Sequence, residues 1–350
     1  RQEVGRLPTT PRLDPGAPAA LLPGRQRAAD HLGAYAEAAV ALGGALTLET
    51  GARLDRLPGE SAVTFDPRVA LAWRRDGWTA RAAGGLHHQG RWRAVDVVPD
   101  AGVPSHVPTR AAHLVAGVEH DGAVRWRAEA YHKAYGRFAP PAGAPLDAAL
   151  MGGSVGPPAV AGTADGLELL VQRATGDRLT GWLGYSLLRA RLDLADGRRV
   201  RAPTDVTHSL TAVATAVLPA GWSIGTTARY GTGLPHTRVV GSRPGGRPGA
   251  RVDGGTVGAS ADRVDPPVLL PVHGPLFGEQ LPAYARLDVR LMRGVATRAG
   301  WLTAYVEALN VLDRANVARY TYDATWQARR AVPAFFAART IVVGTELQLR

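Results

Sequence analysis

Two neighbouring stretches, "LPAYARLDVRL" (residues 281–291) and "WLTAYVEALNVLD" (residues 301–313), alternate between apolar and polar residues almost without interruption. In the first, one side carries Ala285, Leu287, Val289 and Leu291, and the other carries Tyr284, Arg286, Asp288 and Arg290. In the second, Leu302, Ala304, Val306, Ala308 and Leu312 lie opposite Thr303, Tyr305 and Glu307. Because residues two apart on a strand share a face, both stretches predict β-strands with one apolar and one charged face.

The same alternation recurs along the chain and predicts thirteen strands. They are expected at residues 30–42, 45–57, 61–75, 78–90, 108–120, 123–138, 160–174, 178–194, 205–218, 221–235, 282–296, 300–315 and 337–349. Many are longer than the usual five or six residues or so. Long amphipathic strands of this kind are typical of a sheet that crosses a membrane.

The connectors between these strands are alternately short and long. Tight turns are expected at Gly43-Gly44, Asp76-Gly77, Asp121-Gly122, residues 175–177, Pro219-Ala220 and residues 296–299. Mostly longer connectors lie between them, the longest at residues 236–281. An antiparallel meander with tight turns at one end and long loops at the other gives this pattern, and outer-membrane barrels have that asymmetry.

Tryptophan supplies a second signal for the membrane. Six of the eight tryptophans lie within a few residues of a tight turn: Trp73, Trp78, Trp126, Trp182, Trp222 and Trp301. Their neighbours of the same parity are mostly small or apolar, as expected of an aromatic belt at a membrane–water interface. We therefore predict an all-β, antiparallel transmembrane barrel with the apolar face towards lipid. A soluble β-sandwich with that face inside is the alternative.

Composition restricts the function classes. The chain has 350 residues, no cysteine and a formal net charge of +11. The absence of cysteine excludes disulfides, thiolate metal sites and a cysteine nucleophile. A strongly basic chain suggests nucleic-acid binding. The arginines, however, are scattered through every segment, so no nucleic-acid partner is expected.

Several stretches resemble the TonB-dependent outer-membrane receptors. The resemblance rests on "DPRVALAW" (66–73), "WRAEAYHKAYGRF" (126–138), "GTADGLELLVQRATGDRLTGWLGYSL" (162–187), "DVTHSLTAVATAVLPAGWSIGTTARYGTGLPHT" (205–237) and the strand pair at 281–317. Each motif is loose by itself, but all five occur in the order found in that family. The resemblance covers almost the whole chain.

The resemblance implies a barrel of about 22 strands with a plug domain inside it. Since thirteen strands are predicted and no plug sequence precedes them, residues 1–350 are expected to be the C-terminal part of such a barrel. Residues 1–29 are expected to form an extracellular loop that leads into the first strand.

The resemblance also implies a function. This is import of a scarce ligand, of the ferric siderophore, cobalamin or carbohydrate class, across the cell outer membrane. Expected partners are outer-membrane lipid, the small-molecule ligand and TonB, which would act through the N-terminal plug region; neither a cofactor nor a resident metal is expected. A plug-free, porin-like passive channel and an outer-membrane barrel enzyme are the alternatives.

Candidate ligand-binding residues lie where the predicted strands enter the long loops. They are His87, His88, Tyr135, Arg137, Phe138, His236 and Arg238. Aromatic and arginine side chains can bind an anionic chelate or a sugar through stacking and charge-assisted hydrogen bonds. Adjacent histidines on a strand face opposite sides, so His87 and His88 are not expected to bind one metal together.

A hydrolytic site is the one catalytic hypothesis that the sequence raises. Asp205, His208 and Ser209 lie close together. On a strand, however, Asp205 and Ser209 share one face and His208 points to the other, which disfavours a hydrogen-bonded triad. No catalytic residues are therefore predicted.

Overall fold

The structure is a computed structural model that describes residues 31–56, 63–89, 109–136, 159–173, 178–244, 269–334 and 338–349. All thirteen predicted long strands are present within these ranges. The one helical element among the described residues is the three-residue turn Pro219–Gly221. No helix in this part of the chain has the length and apolar character needed to cross a membrane.

The strands fall into a long and a short set. The long strands are β1 (Leu32–Gly43), β2 (Leu46–Arg56), β3 (Val63–Arg75), β4 (Trp78–Gln89), β5 (Thr109–His120), β6 (Arg125–Gly136), β7 (Ala159–Arg173), β8 (Leu179–Leu194), β10 (His208–Val217), β11 (Trp222–Gly231), β16 (Tyr284–Thr297), β17 (Gly300–Leu309) and β20 (Thr340–Leu349). The short strands are β9 (Arg199–Arg201), β12 (Pro235–His236), β13 (Val239–Pro244), β14 (Leu269–His273), β15 (Glu279–Gln280), β18 (Val317–Tyr322) and β19 (Arg329–Pro333).

The long strands form one antiparallel sheet in chain order, in which each inner strand pairs with the long strand before it and the one after it. Strand β9 extends this sheet beside β8. Among the described residues, β1 pairs only with β2, and β20 pairs only with β17. The predicted all-β antiparallel meander is thus confirmed, and an open run of thirteen strands is consistent with part of the wall of a β-barrel.

The register keeps the two faces separate across strands. Val306 lies opposite Leu291 on one side and Val343 on the other, so one apolar row crosses three strands. The side chains of this apolar face are not covered, since Val306 is 50% and Val343 71% exposed. A soluble sandwich would bury such a face under a second sheet, so its exposure favours contact with lipid.

The opposite, polar face is organised by ion pairs and by rings that cover glycines. Glu37 on β1 forms an ion pair with Arg68 on β3. Tyr305 lies directly across from Gly344, where an added Cβ would overlap the ring. The guanidinium carbon of Arg290 lies 3.7 Å from the centre of that ring. Aromatic rings that cover cross-strand glycines stabilise a sheet and fix its register.

The expected asymmetry of the connectors is also present. The β3–β4 turn consists of Asp76 and Gly77, both with positive φ (49° and 80°), as a two-residue hairpin turn requires. The β16–β17 turn is equally short. At the other end of the sheet, β11 and β16 are separated by residues 232–283, and β17 and β20 by residues 310–339.

Among the predicted strands that are shorter in the structure, two have an evident local reason. The strand predicted at 300–315 ends at Leu309, because Asn310 takes a φ of 52° and donates its backbone N–H to Asp288 Oδ1 at 2.8 Å. The strand predicted at 205–218 begins at His208, because the buried Asp205 accepts the backbone N–H of Ala190 at 3.1 Å.

The seven short strands were not predicted, and six of them lie in the two longest described loops. The predicted extracellular loop at residues 1–29 lies outside the described residues.

Candidate functional site

The long-loop end of the sheet carries the first candidate site. The β11–β16 loop (residues 232–283) folds back as the hairpin β13–β14, and β12 pairs with β15 at its base. The β17–β20 loop (residues 310–339) folds back as the hairpin β18–β19. Residues far apart in sequence therefore meet above the strands.

Side chains of the β17–β20 loop fasten the two loops together. The backbone N–H of Val239 donates to the hydroxyl of Tyr322 at 3.1 Å. The indole N–H of Trp326 donates to the carbonyl of Leu269 at 2.9 Å. Each bond joins one loop to the other, so the described parts of the two loops form one docked unit.

A cluster of charged and aromatic residues lies between the two loops. We call it the loop cluster: His236, Arg238, Glu279, Tyr320 and Arg329. Arg238 Nη1 donates to Glu279 Oε1 at 3.2 Å. The second carboxylate oxygen, Oε2, lies 3.9 Å from His236 Nε2 and 4.0 Å from Arg329 Nη1. Three basic side chains thus surround one carboxylate.

The aromatic members of the loop cluster hold its cations in place. The guanidinium carbon of Arg329 lies 4.1 Å from the centre of the Tyr320 ring. The imidazole of His236 lies 5.5 Å from the same ring, centre to centre. A cation over an aromatic face is attracted by the quadrupole of the ring, so Tyr320 orients Arg329 while leaving its N–H edge available.

Burial determines the charge of His236. Both of its ring nitrogens are buried and find no hydrogen-bond partner among the described residues. Burial lowers the pKa of His236 below the ordinary 6.5, an effect opposed by Glu279 and reinforced by Arg329 and Arg238. The imidazole is therefore neutral at pH 7, and the loop cluster then carries two guanidinium charges against one carboxylate.

A second group lies on the polar face of the sheet, near the long-loop end. We call it the histidine cluster: His87, His113, Lys133 and Tyr135. The rings of His87 and His113 are 4.7 Å apart, and those of His113 and Tyr135 are 6.2 Å apart, centre to centre. His113 Nε2 is buried and has no hydrogen-bond partner in the part of the chain that the structure describes. The ammonium of Lys133 lies 4.6 Å from the centre of the Tyr131 ring.

The structure separates the other predicted ligand residues. His88 does not join His87, because its backbone N–H donates to Asp66 Oδ2 at 3.2 Å and its Nδ1 lies 2.5 Å from Asp66 Oδ1. Arg137 and Phe138 lie outside the described residues. Of the seven predicted ligand residues, His87 and Tyr135 thus belong to the histidine cluster, and His236 and Arg238 to the loop cluster.

The six tryptophans of the predicted belt divide between the faces. The register places Trp73, Trp78, Trp126 and Trp222 on the apolar face. Trp78 and Trp126 are 5.4 Å apart, ring to ring, and Arg293 lies 5.4 Å from the ring of Trp222. Trp182 and Trp301 lie on the polar face, across from Val213 and Ala296. Five of the six lie close to a described tight turn, and the turn predicted at 175–177, near Trp182, lies outside the described residues.

The residues of the hydrolytic alternative have other partners. Asp205 accepts from Thr207 Oγ1 at 3.0 Å as well as from the backbone of Ala190. His208 Nδ1 shares a hydrogen bond of 2.8 Å with the hydroxyl of Tyr185. The described ranges also contain no group of three or more histidine, cysteine, aspartate or glutamate side chains placed to hold a metal ion.

Three members of the loop cluster were not predicted from the sequence: Glu279, Tyr320 and Arg329. Glu279 is 41 residues from its partner Arg238, and the other two belong to a different loop. The one usable signal was the presence of aromatic and arginine residues in both long connectors. Nothing in the sequence indicates which of them meet.

Sequence comparison and structure comparison give different results. No protein-family model matches the sequence, and no curated protein matches it. Solved structures match with high probability.

Three solved structures illustrate the similarity. The ferripyoverdine receptor of the Pseudomonas aeruginosa outer membrane matches with a TM-score of 0.57 at 15% identity, over 90% of this chain and 38% of that one. The ferric-catecholate import receptor Fiu from K12 E. coli gives 0.58 and 13%, over 91% and 44%. The ferric yersiniabactin uptake receptor FyuA from Yersinia pestis gives 0.58 and 13%, over 91% and 45%.

The chain therefore spans about two fifths of the length of these receptors. At such low identity the match concerns the fold, which is that of TonB-dependent outer-membrane receptors. The resemblance found in the sequence is confirmed at this level. All three are receptors by name.

Proposed function

We propose that this chain is the C-terminal part of the barrel of a TonB-dependent transporter that imports a ferric siderophore across the cell outer membrane. The observation that carries the proposal is the agreement of the fold over 90% of the chain with receptors for ferric siderophores. The exposed apolar face fits a sheet that is embedded in lipid.

Within this proposal the two clusters have different places. The loop cluster lies at the entrance, where an arriving chelate first meets arginine and tyrosine side chains. The histidine cluster lies deeper, on the polar face that would line the barrel against the plug. In such receptors the plug makes the TonB contact, and the strands of this chain supply part of the backbone ladder of the wall, in which the inner strands are hydrogen-bonded on both sides.

Iron uptake tests the proposal. The full-length protein is expressed in a Gram-negative host that lacks its own siderophore receptors and is starved of iron. We expect radioactive iron to enter from at least one ferric siderophore of a chemically varied panel, and only when TonB is intact. A second strain that lacks TonB provides the control.

The same strains distinguish the channel alternative. Entry of small unrelated solutes in the TonB-deficient strain, together with steady conductance of the purified protein in planar bilayers, would contradict the transporter and support a passive channel. Retention of iron uptake without TonB would likewise contradict the proposal.

A further inference from the structure

We propose that the basic side chains of the loop cluster form a receptor for a carboxylate of the incoming ligand, and that Glu279 occupies this receptor until the ligand displaces it. The inference rests on the proposed function, because it takes the ligand to arrive from the loop side. It narrows the ligand class from ferric chelates in general to those that carry a free carboxylate.

Within the described part of the chain, the hydrogen bonding of Glu279 is incomplete. Its carboxylate has one hydrogen bond there, to Arg238 at 3.2 Å, whereas Arg329 and His236 lie at 4.0 and 3.9 Å. A carboxylate can accept about four hydrogen bonds, and each guanidinium can donate five. With respect to the described residues, donors of both arginines are therefore left for a second anion, and a ligand carboxylate that reaches them at normal length would bind better than Glu279 does.

The cluster is accessible and positively charged. The side chains of Arg238, Glu279 and Arg329 are 51%, 43% and 38% exposed. With His236 neutral, two guanidinium groups face one carboxylate. An anionic ligand is attracted to such a site, and a cationic or neutral ligand gains nothing from it.

The aromatic support indicates a site that is prepared in advance. Tyr320 holds the Arg329 guanidinium against its ring, and a planar guanidinium fixed in this way can form two parallel hydrogen bonds to one carboxylate. The buried ring nitrogens of His236 have no hydrogen-bond partner in the described ranges, and such groups are costly until a hydrogen-bonding group reaches them. A ligand oxygen that takes the place of Glu279 Oε2 would lie beside Nε2 of His236.

The site also joins two loops. Arg238 and Glu279 belong to the β11–β16 loop, and Tyr320 and Arg329 to the β17–β20 loop. A carboxylate bound by both arginines would bridge the loops and strengthen their docking, so occupancy should be detectable as a shorter and narrower distance between them.

Binding to the purified full-length protein tests the inference, with citrate, ferric citrate and a neutral ferric trihydroxamate as probes. We expect Arg238→Gln and Arg329→Gln each to weaken binding of the carboxylate probes about tenfold, since each removes a charge-assisted hydrogen bond. Glu279→Gln should strengthen it about threefold, because it removes a partly exposed competing ion pair. Arg330→Gln, on the same hairpin but outside the cluster, should change nothing.

The sign of the Glu279→Gln effect decides between two roles. If Glu279 only holds the loops together, this variant weakens binding as the arginine variants do, and the inference is overturned. Equal loss of trihydroxamate binding in the arginine variants would overturn it too.

The two citrate probes show which form of the ligand is recognised. Equal affinity for citrate and ferric citrate would identify the carboxylate itself as the recognised group, and a preference for the ferric form would identify the chelate. Both results support the site.

The uptake experiment separates this inference from the proposed function. TonB-dependent uptake of a neutral ferric chelate that is unchanged in the arginine variants, together with no measurable carboxylate binding, would leave the transporter intact and reject the carboxylate site.

Discussion

The sheet and the long-loop end are held together by different interactions. Strands β17 and β20 pair through ten consecutive residue pairs of backbone ladder, which depends on the alternation of side chains and hardly on their identity. The loops are joined by single side chains, such as Tyr322 and Trp326. This explains how the fold can agree with solved structures at 13–15% identity, while the side chains that join the loops are free to differ.

The largest expected effect concerns the apolar face. Val306→Arg would place a charge in the middle of an exposed apolar row, and the free energy of unfolding in lipid vesicles should fall by about 2–4 kcal/mol. Thr303→Arg, on the polar face of the same strand, provides the matched control and should cost clearly less. Equal losses would show that the two faces have similar surroundings.

Glycines on the polar face give a smaller effect with a predicted difference in sign. An added Cβ at Gly344 would overlap the Tyr305 ring, whereas at Gly225 it meets nothing closer than 3.9 Å. We expect Gly344→Ala to destabilise the sheet by about 1–3 kcal/mol through overpacking. Gly225→Ala should be neutral or stabilise by about 0.5 kcal/mol, because it restricts the unfolded chain.

These two variants are compared by denaturant unfolding in the same vesicles. A Gly344→Ala protein as stable as the Gly225→Ala protein would contradict the role of the Tyr305–Gly344 pair in the sheet.

A third change should affect the loops and leave the sheet intact. Tyr322→Phe removes the acceptor for the backbone N–H of Val239 and should weaken the docking of the two loops by about 0.5–1.5 kcal/mol. Spin labels on the two loops should then report a longer and broader distance distribution. Tyr230→Phe, an exposed tyrosine on the apolar face, is the control. Loss of sheet stability in Tyr322→Phe would contradict the independence of the two regions.

The smallest expected effect is a response of loop docking to pH. Because burial lowers the pKa of His236 below 6.5, the undocked loops bind more protons than the docked ones in this range. Docking is therefore strongest above about pH 6.5 and weakens as the pH falls below that value towards the folded pKa. The nearby charges are Arg238, Arg329 and Glu279, and Tyr320 lies against the ring.

The same spin-label distances, recorded from pH 8 downwards, measure this response. His236→Gln should flatten the dependence above the range in which Glu279 itself titrates. Docking that strengthens on acidification would mean that His236 gains an anionic partner when protonated.

The sequence is sufficient to predict the strands of the sheet, but it is not sufficient to predict the contacts within and between the loops. Each long strand can be predicted from a local alternation of apolar and polar residues, such as the one that runs from Leu302 to Val306. Strand ends are less predictable, because they depend on side chains from elsewhere: β17 ends where Asn310 meets Asp288.

The loop cluster shows the limit most clearly. His236 and Arg238 could be proposed from their types and their position beyond a strand. Their partners Glu279 and Arg329 could not, because a contact between residues of separate long loops leaves no periodic signal. The faces of Trp182 and Trp301 likewise follow from the register of the sheet rather than from proximity to a turn.

The most direct test of the central claim is a single-cysteine scan along β17 in lipid vesicles, which is clean because the chain contains no cysteine. Labels at Leu302, Ala304 and Val306 should be quenched by lipid-bound quenchers, and labels at Thr303, Tyr305 and Glu307 by aqueous ones. Quenching that alternates in this way with a period of two means that the apolar face contacts lipid. Labels at the apolar positions that neither quencher reaches would mean that this face is buried against protein, and would contradict the membrane sheet.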